Sequence, residues 1–132
     1  FDARSFAFNT RASPADYDRQ FDILRRVIAL GIDVYGYVTL TSPHDDGIAH
    51  GVRDLLDRLQ AIDPNFPLRV VPLRIQVFTP VESRLSKAND RERSLIVQER
   101  AIAVWNAEIE RRFDAEIRTL PICDIPLGES RP

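Results

Sequence analysis

Between Phe6 and Phe113 the hydrophobic pattern alternates three times between strand-like and helix-like periods. A strand followed by a long helix returns the chain to the end it started from. Successive strands are therefore expected to run parallel, with right-handed crossovers. Three such strands cannot close around anything. The pattern predicts an α/β fold of three consecutive parallel β/α units, part of a partial TIM-like barrel or larger open sheet. Residues 1–113 form the β/α part and residues 114–132 an irregular C-terminal tail. The chain opens on Phe1 and contains no Met, which fits a portion of a longer protein. The catalytic machinery is then expected outside these residues.

The first unit pairs a short strand, Phe6 to Thr10, with a helix whose start and stop are well marked. Ser13 is placed to cap it, Pro14 takes the first helical position and Asp16 follows in the first turn. Tyr17, Phe21, Leu24 and Ile28 recur at helical spacing, and Gly31 supplies a left-handed stop. The second strand is Asp33 to Thr41. Val34, Gly36, Val38 and Leu40 point one way, and Tyr35, Tyr37, Thr39 and Thr41 the other. Its helix carries Ile48, Val52, Leu55, Leu56 and Leu59 on one side and stops at Asp63–Pro64. The third strand, Leu68 to Thr79, sets Val71, Leu73, Ile75 and Val77 against Pro72, Arg74 and Gln76. Pro72 lacks a ladder donor and implies a bulge or an edge. A polar loop from Pro80 to Asn89 leads to a last helix with Leu95, Ile102, Trp105, Ile109 and Phe113 as its buried stripe.

Composition narrows the function classes. A length of 132 residues suffices for one domain with a core. The net charge of −2 gives no electrostatic case for nucleic acid or an anionic membrane. Lys87 is the sole lysine, so a Schiff-base lysine on a strand is not in view. Cys123 is the sole cysteine. It allows no internal disulfide and no cysteine-built zinc or iron–sulfur site from this chain alone. No apolar run reaches the length of a membrane span. Together these features lead to the expectation of a cytoplasmic protein.

In parallel α/β folds ligands gather at the carboxyl ends of the strands. That end is expected to bring together Asn9 and Arg11, Tyr37, Thr39 and Thr41, and Arg74 and Gln76, with Tyr35 further along the same face. An arginine there would hold a carboxylate through its paired donors, and the threonines a ribose or amino group. The same residues would equally satisfy one another in a structural core. His44, Asp45, Asp46 and His50 are chemically suited to metal, yet the two histidines are six apart across a loop-to-helix junction, and the aspartates read more simply as helix-start residues. Cys123 has no histidine near it in sequence to act as a base. No catalytic residue and no metal ligand is assigned.

Two runs resemble a known family. Phe21-Asp-Ile-Leu-Arg-Arg-Val-Ile-Ala-Leu-Gly-Ile-Asp-Val-Tyr-Gly-Tyr-Val-Thr-Leu-Thr41 resembles the later half of a radical S-adenosylmethionine barrel, where a helix ends in Gly-Ile and feeds a strand with a small residue and polar lumen positions. Pro67-Leu-Arg-Val-Val-Pro-Leu-Arg-Ile-Gln-Val-Phe-Thr-Pro80 is similar to that family's last core strand and exit loop. The diagnostic CxxxCxxC, which holds a 4Fe–4S cluster, is absent here and in the family lies upstream of the matched segments. The resemblance implies a fragment contributing part of the S-adenosylmethionine and substrate cleft, with Asn9, Arg11, Tyr37, Thr39, Thr41, Arg74 and Gln76 as cofactor-side positions. S-adenosylmethionine and the cluster would belong to the parent protein, with neither held by this chain alone. The partner would be the missing N-terminal barrel half, or another chain covering the open sheet. The competing expectation is a non-catalytic α/β interaction module that associates through that sheet.

Overall fold

The computed structural model describes residues 1–76 and 88–128. It contains helices α1 (Ala3–Thr10), α2 (Tyr17–Ala29), α3 (Ile48–Gln60), α4 (Ala88–Arg112) and α5 (Ala115–Arg118). Its strands are β1 (Gly36–Thr39) and β2 (Val70–Leu73). The three β/α units and the partial barrel are not formed. Among the described residues there is one two-stranded parallel sheet, joined through α3 as a single βαβ unit.

The expected first strand is α1. Asp2 caps it through a reciprocal box: its carboxylate accepts from the Ser5 backbone N–H at 2.8 Å, and the Ser5 hydroxyl accepts from the Asp2 N–H at 2.9 Å. These bonds satisfy donors that an isolated helix start leaves open. Arg11 ends α1 in the left-handed region, at φ 58°. The local caps thus decide the five-residue stretch Phe6 to Thr10, whose apolar spacing fits either period.

The second helix follows its sequence signals. Ser13 caps a one-turn 3₁₀ segment, Pro14–Asp16, which runs into α2. Gly31 at φ +70° then turns the chain, with its N–H donating to the Ile28 carbonyl and that of Ile32 to the Val27 carbonyl. This paired bonding closes orphan carbonyls at the helix end and requires a residue tolerant of positive φ.

The other two strands are shorter than their apolar patterns. Phe66–Arg69 forms a 3₁₀ turn ahead of β2, because Pro67 favours the start of a helical turn and cannot donate to a ladder. Past β2, Val77 to Thr79 and the loop expected from Pro80 lie outside the described residues, except for the first α4 positions.

The core lies between one sheet face and the helices. Leu40, Val52, Leu56, Phe66 and Val97 are almost fully enclosed, with Tyr17, Phe21, Leu55, Leu59, Ala101 and Trp105 around them. From α4 the buried positions Val97, Gln98, Ala101, Ile102 and Trp105 recur at three- and four-residue steps, as a core-facing helix requires. Gly51 lets the Phe1 ring sit on α3, since a Cβ there would come within 2.6 Å of that ring. An ion network joins α3 to α4. Glu108 accepts from Arg53 Nε at 2.8 Å, Arg111 Nη2 at 2.6 Å and Arg112 Nε at 3.1 Å, and Arg112 also reaches Asp57 and Gln60. The Arg111 bond, then the Arg53 bond, hold the Glu108 carboxyl at a pKa of about 2.

After α5, a strap from Ile122 to Gly128 crosses the amino-terminal approach to both strands. Arg69, 4% exposed, donates from Nε to the Ile125 carbonyl at 2.8 Å and from Nη2 to the Cys123 carbonyl at 3.2 Å. Its Nη1 pairs with Asp33 ahead of β1. The Asp63 carboxylate accepts from the Gly128 N–H at 2.8 Å, and Ile125 is buried.

Candidate functional site

Strand register decides which nominated residues share a face. Gly36 pairs with Val70, Tyr37 with Val71, Val38 with Pro72 and Thr39 with Leu73. Paired residues of a sheet project to the same side, and successive residues alternate. Tyr37 and Thr39 therefore stand beside Val71 and Leu73. Arg74 and Gln76, which continue the alternation of Pro72, fall on the opposite side. The single polar face expected from Tyr37, Thr39, Arg74 and Gln76 does not exist. Likewise Val71, Leu73 and Ile75, expected to face a helical layer, are 38–41% exposed, while Val70 faces the helices.

The exposed face is mixed. Tyr35 and Tyr37 are 55% and 61% exposed, with rings edge to face at 5.7 Å. Val71, Leu73 and Ile75 lie alongside, and half-buried Thr39 stands opposite Leu73 at the carboxyl end. Two phenol hydroxyls and a threonine hydroxyl among aliphatic side chains make a surface that can orient a small organic molecule while excluding water from one side of it.

The remaining candidates are dispersed. Asn9 sits on α1 and bonds Thr41: its amide donates to the Thr41 carbonyl at 2.9 Å and its Oδ1 accepts from the Thr41 hydroxyl at 2.6 Å. Asn9 also donates to the Ser5 carbonyl at 2.9 Å. Thr41 is buried, so this pair is a structural tie between α1 and the end of β1. Arg11 is exposed at the end of α1. Arg74 is exposed and pairs with Glu99 of α4 at 3.1 Å. Gln76 is exposed. His44 and His50 are exposed, and Asp46 pairs with Arg4 at 3.2 Å, which lowers the Asp46 pKa. Among the described residues no three His, Cys, Asp or Glu side chains gather as a metal-ligand set. An iron–sulfur cluster does not fit this chain, because Cys123 is its only thiol and lies exposed in the strap.

Two features were not foreseen. The first is a groove of about 300 Å³ beside β1, walled by Phe6 and Asn9 of α1, Gln20 and Leu24 of α2, and Leu55 and Leu59 of α3. All four β1 residues line it, but only Val70 from β2. It therefore follows the outer edge of β1 rather than one sheet face. The second is Gln98, 1% exposed, whose amide accepts from the Ile75 N–H at 2.8 Å and donates to the Ile75 carbonyl at 3.2 Å. Its position three residues past Leu95 on the α4 stripe was the available signal.

The class defined by these features is a helix-rich α/β unit built on one parallel βαβ element, with a mixed sheet face that is bare among the described residues. Comparison with known proteins adds no narrower class: no family model, curated protein or solved structure matches this chain. No helix among the described residues is long and apolar enough to cross a membrane.

Proposed function

We propose that this chain forms part of the S-adenosylmethionine and substrate cleft of a radical S-adenosylmethionine enzyme, with the 4Fe–4S cluster supplied by residues outside it. The reading combines the family resemblance of segments 21–41 and 67–80 with one observation, the bare face of β1 and β2. Parallel sheets are normally covered on both faces, and among the described residues this one is helix-covered on only one. The bare face carries the Tyr37 and Thr39 hydroxyls among aliphatic side chains near the carboxyl ends of the strands. A face packed by a helix would have no need of those hydroxyls. Tyr35, Tyr37 and Thr39 would orient the cofactor or substrate, and Val71 and Leu73 would keep water away. Arg74 and Gln76 take no part in this version of the site.

The encoding frame next to Phe1 tests the family. A CxxxCxxC followed by further strand and helix segments is the expected result. A start codon directly ahead of Phe1, or upstream strands without the three cysteines, overturns it. In the full polypeptide, Thr39→Val should weaken S-adenosylmethionine binding by about tenfold, the loss of about 1.4 kcal/mol, and Arg74→Ala should leave it unchanged. Equal effects of the two substitutions would refute the assignment of faces.

A second reading, a non-catalytic module that associates through its sheet, is favoured by the outer edge of β1. Among the described residues that edge has no strand partner.

A further inference from the structure

We infer that the groove along β1 receives one extended, uncharged segment from outside these 132 residues, which adds to the sheet as a third strand. This rests on the second reading and deepens it by naming the edge and its occupant. A strand directs alternate N–H and C=O groups to each side. Those of β1 that face away from β2 have no backbone partner among the described residues. They lie along a groove whose walls are α1, α2 and α3, and among the described residues no Asp, Glu, Lys or Arg side chain lines it. Unpaired backbone groups beside an uncharged, largely apolar wall suit a peptide backbone bearing aliphatic side chains at alternate positions.

The two ends of the sheet are treated differently. Beyond β2, the side-chain amide of Gln98 occupies both backbone groups of Ile75, as a neighbouring strand would. Beyond β1, the Asn9 side-chain amide takes only the carbonyl of the Thr41 backbone, and among the described residues no side chain bonds the backbone of Gly36–Thr39. A second folded copy does not fit, since its own β1 edge is sunk between the same helices. A single extended segment brings no such walls with it.

The test uses the intact chain and a synthetic peptide of four Val-Thr repeats flanked by lysines, with two further versions N-methylated at alternate residues in opposite phase. Binding should slow amide exchange at Gly36–Thr39 by about tenfold or more. One N-methyl phase should lose about tenfold or more in affinity, and the other should bind like the parent peptide. Equal binding of all three peptides, with perturbation at Val71 and Leu73, would overturn the edge groove while leaving association through the sheet intact. No binding at about 1 mM peptide would overturn both. Protection of Gly36–Thr39 in a dimer of the chain alone would replace the proposed occupant with a second copy.

Discussion

Removing the Arg69 guanidinium should release the strap and destabilise the fold. Arg69→Leu deletes the bonds to two buried or partly buried backbone carbonyls, 2.8 Å to Ile125 and 3.2 Å to Cys123, and the ion pair with Asp33. A hydrogen bond from a charged donor contributes about 1.5–3 kcal/mol, and a buried carbonyl left unpaired costs about 1–3 kcal/mol. Asp33 is largely exposed, so its pair adds only about 0–1 kcal/mol. The leucine recovers about 1 kcal/mol of apolar burial. The expected net loss is about 2–6 kcal/mol, a large share of the about 5–15 kcal/mol that holds a domain together. Urea denaturation measures the global part, and amide exchange over residues 122–128 measures the strap. Arg69→Lys should lose about half as much, because one ammonium cannot fork across two carbonyls. Asp33→Asn should lose under about 1 kcal/mol. An Arg69→Leu chain that keeps its urea midpoint and its strap protection would refute the reasoning.

Three other outcomes follow from the packing. Glu108 has a folded pKa of about 2 against an ordinary value of 4.5, so its contribution is present above pH 4.5 and fades as pH falls towards 2. Glu108→Gln should flatten that acid limb in pH-dependent urea unfolding; an unchanged limb would count against the network. Gln98→Leu should cost about 1–3 kcal/mol by stranding both Ile75 backbone groups, read as a lower thermal midpoint and faster Ile75 amide exchange. Gly51→Ala should also lower the thermal midpoint, because the 2.6 Å approach to the Phe1 ring costs about 1–3 kcal/mol of overpacking against a helix-propensity gain of about 1 kcal/mol; a raised midpoint would show that the ring gives way freely.

Helix ends were legible where the chemistry is local. Ser13–Pro14 and Gly31 predict the start and stop of the second helix because each acts within one turn of its own position. The Asp2–Ser5 box is the same kind of local signal, and it makes a helix of a stretch whose short alternation by itself reads as a strand. The parallel direction of β1 and β2 was legible from the helix between them. The first expected strand, Phe6 to Thr10, is a helix instead: a run of 4–8 residues fits either period, and its length alone does not decide.

The candidate site failed at register, which periodicity within a strand does not contain. Alternation correctly separates Tyr37 and Thr39 from Val38, and Val71 and Leu73 from Pro72. It does not say which set of one strand joins which set of the other. Grouping polar with polar put Arg74 and Gln76 beside the tyrosines, whereas the ladder pairs Tyr37 with Val71. A single-residue slip between β1 and β2 would exchange the two groupings. Core packing opposes that slip. Val70 and Val38 face the helices, and the slip would either expose Val70 or bring Val38 out of the core and turn the Tyr37 hydroxyl into it. Either change costs about 1–3 kcal/mol, which opposes the polar grouping. The helical core thus selects the register, and the register leaves the bare face with two tyrosines and a threonine rather than an arginine.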